Sequence, residues 1–202
     1  MLVDTPRGPA RVHLEHPPSE PRGLLVLGHG AGGGVDAPDL QAVRTAVLDI
    51  GLAVARVEQP YRVAGKRAPA PATHLDEAWQ GVIAEVRGRD PWKELPLFTG
   101  GRSSGARVAC RTATSVGASG VVALAFPLHP PGRPERSRAG ELVATGVPAV
   151  VVNGDRDPFG VPEPEADDIT VHVLTGENHA LDRDPAGAAR LVSTWLARRL
   201  PG

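Results

Sequence analysis

The chain has 202 residues, of which 41% are hydrophobic, and its 22 basic and 23 acidic side chains leave a net charge of −1. That length is typical of one domain and is enough to bury a sizeable core. The balanced charge offers no basic stripe for nucleic acid and no acidic tail, and 3% aromatic residues leave little for base stacking. The single cysteine, Cys110, excludes an internal disulfide and fits a reducing compartment. The first residues, Met1 to Pro6, lack a basic stretch followed by an apolar one, so no secretory signal is expected. The longest apolar runs, around Val121 to Phe126 and Val147 to Val152, are too short to span a bilayer. These features predict a cytoplasmic protein with no membrane or nucleic-acid partner.

Along the chain, residues 1–21 read as an extension in which Arg11 to Glu15 adds an early edge strand, ahead of a core over about residues 22–200. Gly23 to Gly28 is apolar throughout, as expected of a parallel strand covered on both faces. Leu40, Val43, Val47 and Ile50 then fall on one face of a helix, and Leu52 to Val57 forms the next strand. A Pro-rich loop over Glu58 to Ala72 leads into a helix with Leu75, Ala78, Trp79, Val82 and Val86 on one side. Leu95 to Thr99 reads as a strand. Ala106 to Val116 reads as a helix whose face of Ala106, Ala109, Cys110 and Ala113 is small enough to lie close on a sheet. Val121 to Phe126, Pro148 to Val152 and Ile169 to Leu174 are further strands, with a second Pro-rich loop at Pro127 to Arg136. Leu191, Val192, Trp195 and Leu196 mark a last helix. Repeated strand–helix alternation predicts a single α/β domain, a mostly parallel sheet with helices on both faces. Both Pro-rich loops leave the carboxyl ends of strands, where such sheets bind ligands, and both are too short to form a cap domain.

The motif with most chemical content is Gly101-Arg102-Ser103-Ser104-Gly105, between a strand and a helix. G-x-S-x-G there is a nucleophile elbow, a sharp turn that lifts a serine hydroxyl off the sheet and aims the next amide at developing negative charge. Only Ser103 fits the frame, because Ser104 would need glycine where Arg102 and Ala106 stand. A serine hydroxyl also needs a base, a group to orient that base, and donors for an oxyanion. Downstream, Asn153-Gly154-Asp155-Arg156-Asp157-Pro158 follows a strand. Asp157 is preferred as the acid, and Asp155 as a turn-former that satisfies local amides. His179, in Gly176-Glu177-Asn178-His179-Ala180-Leu181, is the base candidate. Upstream, Gly28-His29-Gly30-Ala31-Gly32-Gly33-Gly34 follows the first core strand as an oxyanion loop does. The amides of Ala31 and Ser104 are the expected oxyanion donors. Gly30 and Gly32 allow close approach of the backbone, and His29 braces the loop. His129, in the second Pro-rich loop, is expected to brace that loop or touch substrate.

Together, GHGAGGG, GGRSSGARVA, FPLHPPGRPE, NGDRDPFG and ENHAL resemble the α/β-hydrolases of the small, capless, dienelactone-hydrolase-like kind. More narrowly, the chain is similar to bacterial relatives of the testis-expressed hydrolase-like proteins, whose domain is shared by a subunit of a chromatin acetyltransferase complex. The resemblance covers roughly Leu24 to the C-terminus, nearly the whole chain. It implies Ser103, Asp157 and His179 as a catalytic triad, and no particular substrate. The activity expected is hydrolysis of a carboxylic ester or thioester, small acyl groups favoured, in a shallow pocket shaped by residues 61–72 and 128–136.

Other readings compete. Ser103 alone would serve as a helix N-cap and Asp157 as a loop residue. Among the remaining histidines, His13 and His16 precede the core, His74 opens a helix and His172 lies within a strand. The absence of H-E-x-x-H or comparable spacing argues against a metal. Gly28, Gly30 and Gly33 match G-x-G-x-x-G, with Glu58 as a distant acid, which keeps a Rossmann-type nucleotide-binding protein as a weak alternative. The main alternative is a catalytically idle interaction module of the same fold. No cofactor is expected.

Overall fold

A computed structural model describes residues 1–163 and 167–201. The elements in chain order are β1 (Leu2–Val3), β2 (Ala10–Glu15), β3 (Gly23–Gly28), α1 (Pro38–Asp49), β4 (Leu52–Glu58), α2 (Pro60–Val63) and α3 (Ala72–Arg87). They continue with β5 (Leu97–Arg102), α4 (Ser104–Thr112), β6 (Gly120–Leu124), α5 (Ala139–Val143), β7 (Ala149–Gly154), β8 (Ile169–Leu174) and α6 (Pro185–Ala197). The eight strands form one sheet in the order β1-β2-β4-β3-β5-β6-β7-β8. β3 to β8 run parallel, and β2 pairs antiparallel with both β1 and β4.

Each uniformly apolar run lies where both of its faces are covered. Every residue of β3, β6 and β7 is buried. One side of the sheet packs Leu25, Leu27 and Phe98 against Leu40, Val43 and Val47 of α1 and Val192, Trp195 and Leu196 of α6. The other side packs Leu24 and Val26 against Leu75, Trp79 and Val82 of α3. The small face of α4 (Ala106, Ala109, Cys110) lies on Val121 and Ala123 there. At about 25 cal/mol per Å² of apolar surface, this two-sided burial is the main driving force for the sheet.

The helix entries follow local chemistry. Pro38, Pro60 and Pro185 open their helices at positions where a missing N–H costs no intrahelical bond. Asp184 caps α6 by accepting from the Gly187 amide at 2.8 Å. Between β6 and β7 the described residues hold only α5, and no separate cap is inserted.

Several details differ from the sequence reading, among them that β6 ends at Leu124 and α4 at Thr112, earlier than Phe126 and Val116. β2 is the second strand from the edge, outside which β1 pairs, so the N-terminal segment extends the sheet itself. His13 therefore lies within the sheet, 2.8 Å from Glu58. β5 runs two to three residues later than Leu95 to Thr99, because Gly100 and Gly101 pair with Val122 and Ala123 despite the poor strand propensity of glycine. The first Pro-rich loop contains the single turn α2, and α4 begins at Ser104, directly after the candidate nucleophile.

Candidate active site

Ser103 occupies the turn between β5 and α4 with φ 52° and ψ −113°. A non-glycine residue there is strained, by roughly 1–3 kcal/mol, and must be held by its surroundings. One such restraint is its amide, which donates to the Leu124 carbonyl at 2.9 Å. The turn also requires that α4 come very close to β3. A Cβ on Gly105 would land on the Gly28 carbonyl, so the second glycine of the elbow is a packing necessity. The Ser103 side chain caps no helix amide. Its Oγ lies 2.9 Å from His179 Nε2.

His179 lies on the turn between β8 and α6, and its Nδ1 is 2.8 Å from Asp157 Oδ2. With a carboxylate as partner, Nδ1 carries the proton and donates, which leaves Nε2 free to accept from the serine hydroxyl. The Asp157 side chain is fully buried and has three donors. Besides His179, the Phe159 amide donates to Oδ1 at 2.8 Å and Asn153 Nδ2 donates to Oδ2 at 3.3 Å. The Phe159 ring packs at 4.2 Å, centroid to centroid, against the His179 imidazole. Asp155 turns elsewhere and accepts from the Gly176 amide at 2.7 Å.

Asn153, at the end of β7, went unremarked in the sequence reading. It is fully buried, and it binds both the amide and the carbonyl of Phe126 (2.9 and 3.1 Å), joining the ends of β6 and β7 under the acid loop. Phe159 was missed as well. The only local signal for either was adjacency to the candidate acid.

The loop after β3 passes close to Ser103. A Cβ on Gly30 would stand 3.5 Å from the Ser103 Cβ and 3.1 Å from Arg102 Nη1, so this glycine serves close approach. Gly32 has open space around it and answers to no such packing need. Among the described residues, neither the Ala31 amide nor the Ser104 amide donates to a protein acceptor. The Ala31 carbonyl is held by the Tyr61 hydroxyl at 3.0 Å. His29 is buried beneath the loop, with Nδ1 donating to the Gly30 carbonyl at 2.8 Å and Nε2 accepting from the Gln59 amide at 3.1 Å. Burial pushes its pKa below the usual imidazole range, so it is a neutral brace.

His129 packs on the acid loop. Its amide donates to the Phe159 carbonyl at 2.9 Å, its Nδ1 donates to the Pro130 carbonyl at 2.9 Å, and its Nε2 lies against Gly160. Glu58, the distant acid of the nucleotide-binding alternative, is engaged by His13 and Arg11 at 2.8 and 3.1 Å. No cluster of three or more His, Cys, Asp or Glu suited to a metal occurs among the described residues. No helix among them is long and apolar enough to cross a membrane. A hollow of about 410 Å³ lies beside the first Pro-rich loop, lined by Tyr61 and Lys66, and one of about 160 Å³ lies beside α5 and Leu128; neither is lined by Ser103, Asp157 or His179, so the expected substrate pocket between the two loops is not formed by either.

In chemical terms, the carboxyl ends of β5, β7 and β8 bring together a serine hydroxyl, an oriented imidazole and a buried carboxylate, with the Gly30 backbone of the loop after β3 close to the serine. Solved structures with the same fold carry related descriptions. A serine hydrolase without a lid from Xanthomonas campestris superposes with a TM-score of 0.80 at 21% identity, over 100% of this chain and 94% of that one. Est1E from Butyrivibrio proteoclasticus, with ferulic acid bound, gives 0.80 at 17% identity over 98% of each chain. A dienelactone hydrolase from Anabaena variabilis gives 0.79 at 16% identity, over 100% of this chain and 97% of that one. At such identities the likeness is one of fold. A family model described as "Alpha/beta hydrolase domain" matches residues 21–190, most of the sequence. The chain belongs to the alpha/beta hydrolase domain family and is a hydrolase of that fold.

Proposed function

We propose that the protein is a serine hydrolase that cleaves carboxylic esters or thioesters through an acyl-enzyme, with Ser103, His179 and Asp157 as its triad. The observation that carries this reading is the continuous relay of 2.9 Å from Ser103 Oγ to His179 Nε2 and 2.8 Å from Nδ1 to Asp157. His179 takes the Ser103 proton at Nε2 as Oγ attacks the carbonyl carbon, and Asp157 stabilises the imidazolium without itself being protonated. The tetrahedral oxyanion accepts from the Ala31 and Ser104 amides, each such donor contributing about 10²–10³ in rate. The C–O or C–S bond then breaks, and the leaving alcohol or thiol takes the proton from Nε2. Water attacks the acyl-serine while His179 removes its proton. Collapse of the second intermediate frees the acid and returns the proton to Ser103.

The lack of an inserted cap among the described residues supports small acyl groups on small-molecule substrates. The narrower kinship with the bacterial relatives of the testis-expressed and chromatin-complex proteins, and a cytoplasmic location, rest on the motifs and composition given above.

Labelling with a fluorophosphonate probe, located by mass spectrometry, tests the reading. Label on Ser103 that vanishes in Ser103→Ala and falls sharply in His179→Ala is expected, together with Ser103-dependent hydrolysis of p-nitrophenyl acetate. A folded protein that takes no label would overturn it in favour of an idle interaction module.

A further inference from the structure

We propose that Arg102 and Asp39 are positioning residues for this chemistry, a guanidinium–carboxylate pair with a buried carboxylate and a half-buried guanidinium that holds the His179 main chain against the nucleophile elbow. The inference rests on the triad reading above. Arg102 is the last residue of β5, directly before Ser103, and its side chain is 14% exposed while that of Asp39 is 0% exposed. Arg102 Nε donates to Asp39 Oδ2 at 2.9 Å, and Nη2 donates to the His179 carbonyl oxygen at 2.7 Å. Its third nitrogen, Nη1, lies over Gly30. The other oxygen of Asp39, at the start of α1, accepts from the Leu40 amide at 2.9 Å. One guanidinium thus meets the histidine loop, the loop carrying the free Ala31 amide, and the first turn of α1. Its own main chain leads into Ser103.

The His179 loop is tied to the acid loop, where the Arg156 amide donates to the Glu177 carbonyl at 2.9 Å and the Gly176 amide to Asp155 at 2.7 Å, and Arg102 adds a tie to the elbow. The loop leaves β8, an edge strand, and its own internal bonds, Ala180 amide to Asn178 Oδ1 and Leu181 amide to the Asn178 carbonyl, do not reach the elbow. Leu181 holds φ 49°, a strained conformation that must be held in place by packing. The bond from Arg102 to the His179 carbonyl is a direct link between the base loop and the strand carrying the nucleophile. Misplacing a reacting group by about 1 Å costs on the order of 10² in rate. Exposed ion pairs contribute little, and buried ones gain little once desolvation is counted, so stability alone does not account for this half-buried pair. A planar fork suits two acceptors in different directions, whereas an ammonium on a flexible stem would hold the pair with Asp39 and lose the defined geometry at the carbonyl.

Arg102→Lys is the first test, because it keeps the charge beside Asp39. We expect a retained thermal transition, a kcat for p-nitrophenyl acetate (or a rate of fluorophosphonate labelling) lowered about 10–100-fold, and KM changed less than about twofold. The downfield proton resonance of the His179–Asp157 hydrogen bond should broaden or disappear, which a purely structural brace would not cause. The double variant Arg102→Gln/Asp39→Asn removes both charges, leaves none unpaired, and should show the same split. A folded Arg102→Lys protein with native kcat and a native downfield resonance overturns the inference. So does loss of folding in both variants, since the pair would then be a structural brace. Wild-type protein that takes no label at Ser103 sinks the underlying triad reading, whereas label at equal rates in wild type and Arg102→Lys sinks only the positioning role.

Discussion

Replacing Asp157 by asparagine should disable the base without unfolding the protein, and the hydrogen bonds around the side chain say why. Asp157 accepts three donors: His179 Nδ1 at 2.8 Å and Asn153 Nδ2 at 3.3 Å on Oδ2, and the Phe159 amide at 2.8 Å on Oδ1. An asparagine has one acceptor oxygen to offer them. If that oxygen faces His179, the half-buried Phe159 amide meets an N–H₂ group, which costs up to about 1–3 kcal/mol for the orphaned donor. If it faces Phe159, the new N–H₂ points at His179, and the imidazole can accept from it by moving its own proton to Nε2. The second arrangement gives up only the long 3.3 Å bond from Asn153, so it is the one favoured. In that tautomer Nε2–H faces Ser103 Oγ and cannot take its proton. The expected loss is about 10⁴ in kcat, or roughly 5 kcal/mol of transition-state stabilisation, with little change in melting temperature. Steady-state hydrolysis of p-nitrophenyl acetate, fluorophosphonate labelling and a thermal melt on the same preparation measure it. A folded Asp157→Asn protein within about tenfold of the wild-type rate would refute the tautomer argument and the assignment of Asp157 as the orienting acid.

Three further outcomes are expected. Gly105→Ala drives a Cβ into the Gly28 carbonyl, and it should lower stability in a denaturant titration by at least about 1–3 kcal/mol and weaken Ser103 labelling; a neutral substitution would contradict the close approach of α4 to β3. His29 is held neutral by burial while unfolded-chain imidazoles protonate below about pH 6.5, so the unfolded state binds the extra proton and stability falls as pH drops from there towards the lowered folded pKa. His29→Gln should therefore flatten the melting-temperature profile below about pH 6.5, and profiles that stay parallel to wild type would exclude His29 as the source. Burial pushes the Cys110 thiol up to about 12, so the native protein should resist a thiol reagent at pH 8 and react fully once denatured; rapid native labelling would mean that the face of α4 opens.

Much of the fold could be read from the chain because its signals are local. Runs such as Gly23 to Gly28 are apolar on both alternating faces, and α3 and α6 show the spacing of a buried helical stripe. The single turns α2 and α5 escaped, since four or five residues establish no periodicity, and β1 is only two residues long. The place of β2 inside the sheet escaped too, because nothing in Ala10 to Glu15 states that Leu2 and Val3 will pair beyond it. For the site, the order of Ser103, Asp157 and His179, each after its own strand, was visible in the sequence alone. The order of motifs can nominate residues, but it carries no distance. The 2.9 and 2.8 Å contacts, the 63-residue reach from Arg102 back to Asp39, and the join that Asn153 makes between β6 and β7 exist only once the strands lie side by side. The sequence alone therefore determined which segments are buried and which side chains carry reactive groups, because burial and reactivity are properties of residue type and spacing. The tertiary structure decided which of those groups touch, and it added the partners Asn153, Phe159, Arg102 and Asp39, because a hydrogen bond depends on separation in space and not along the chain.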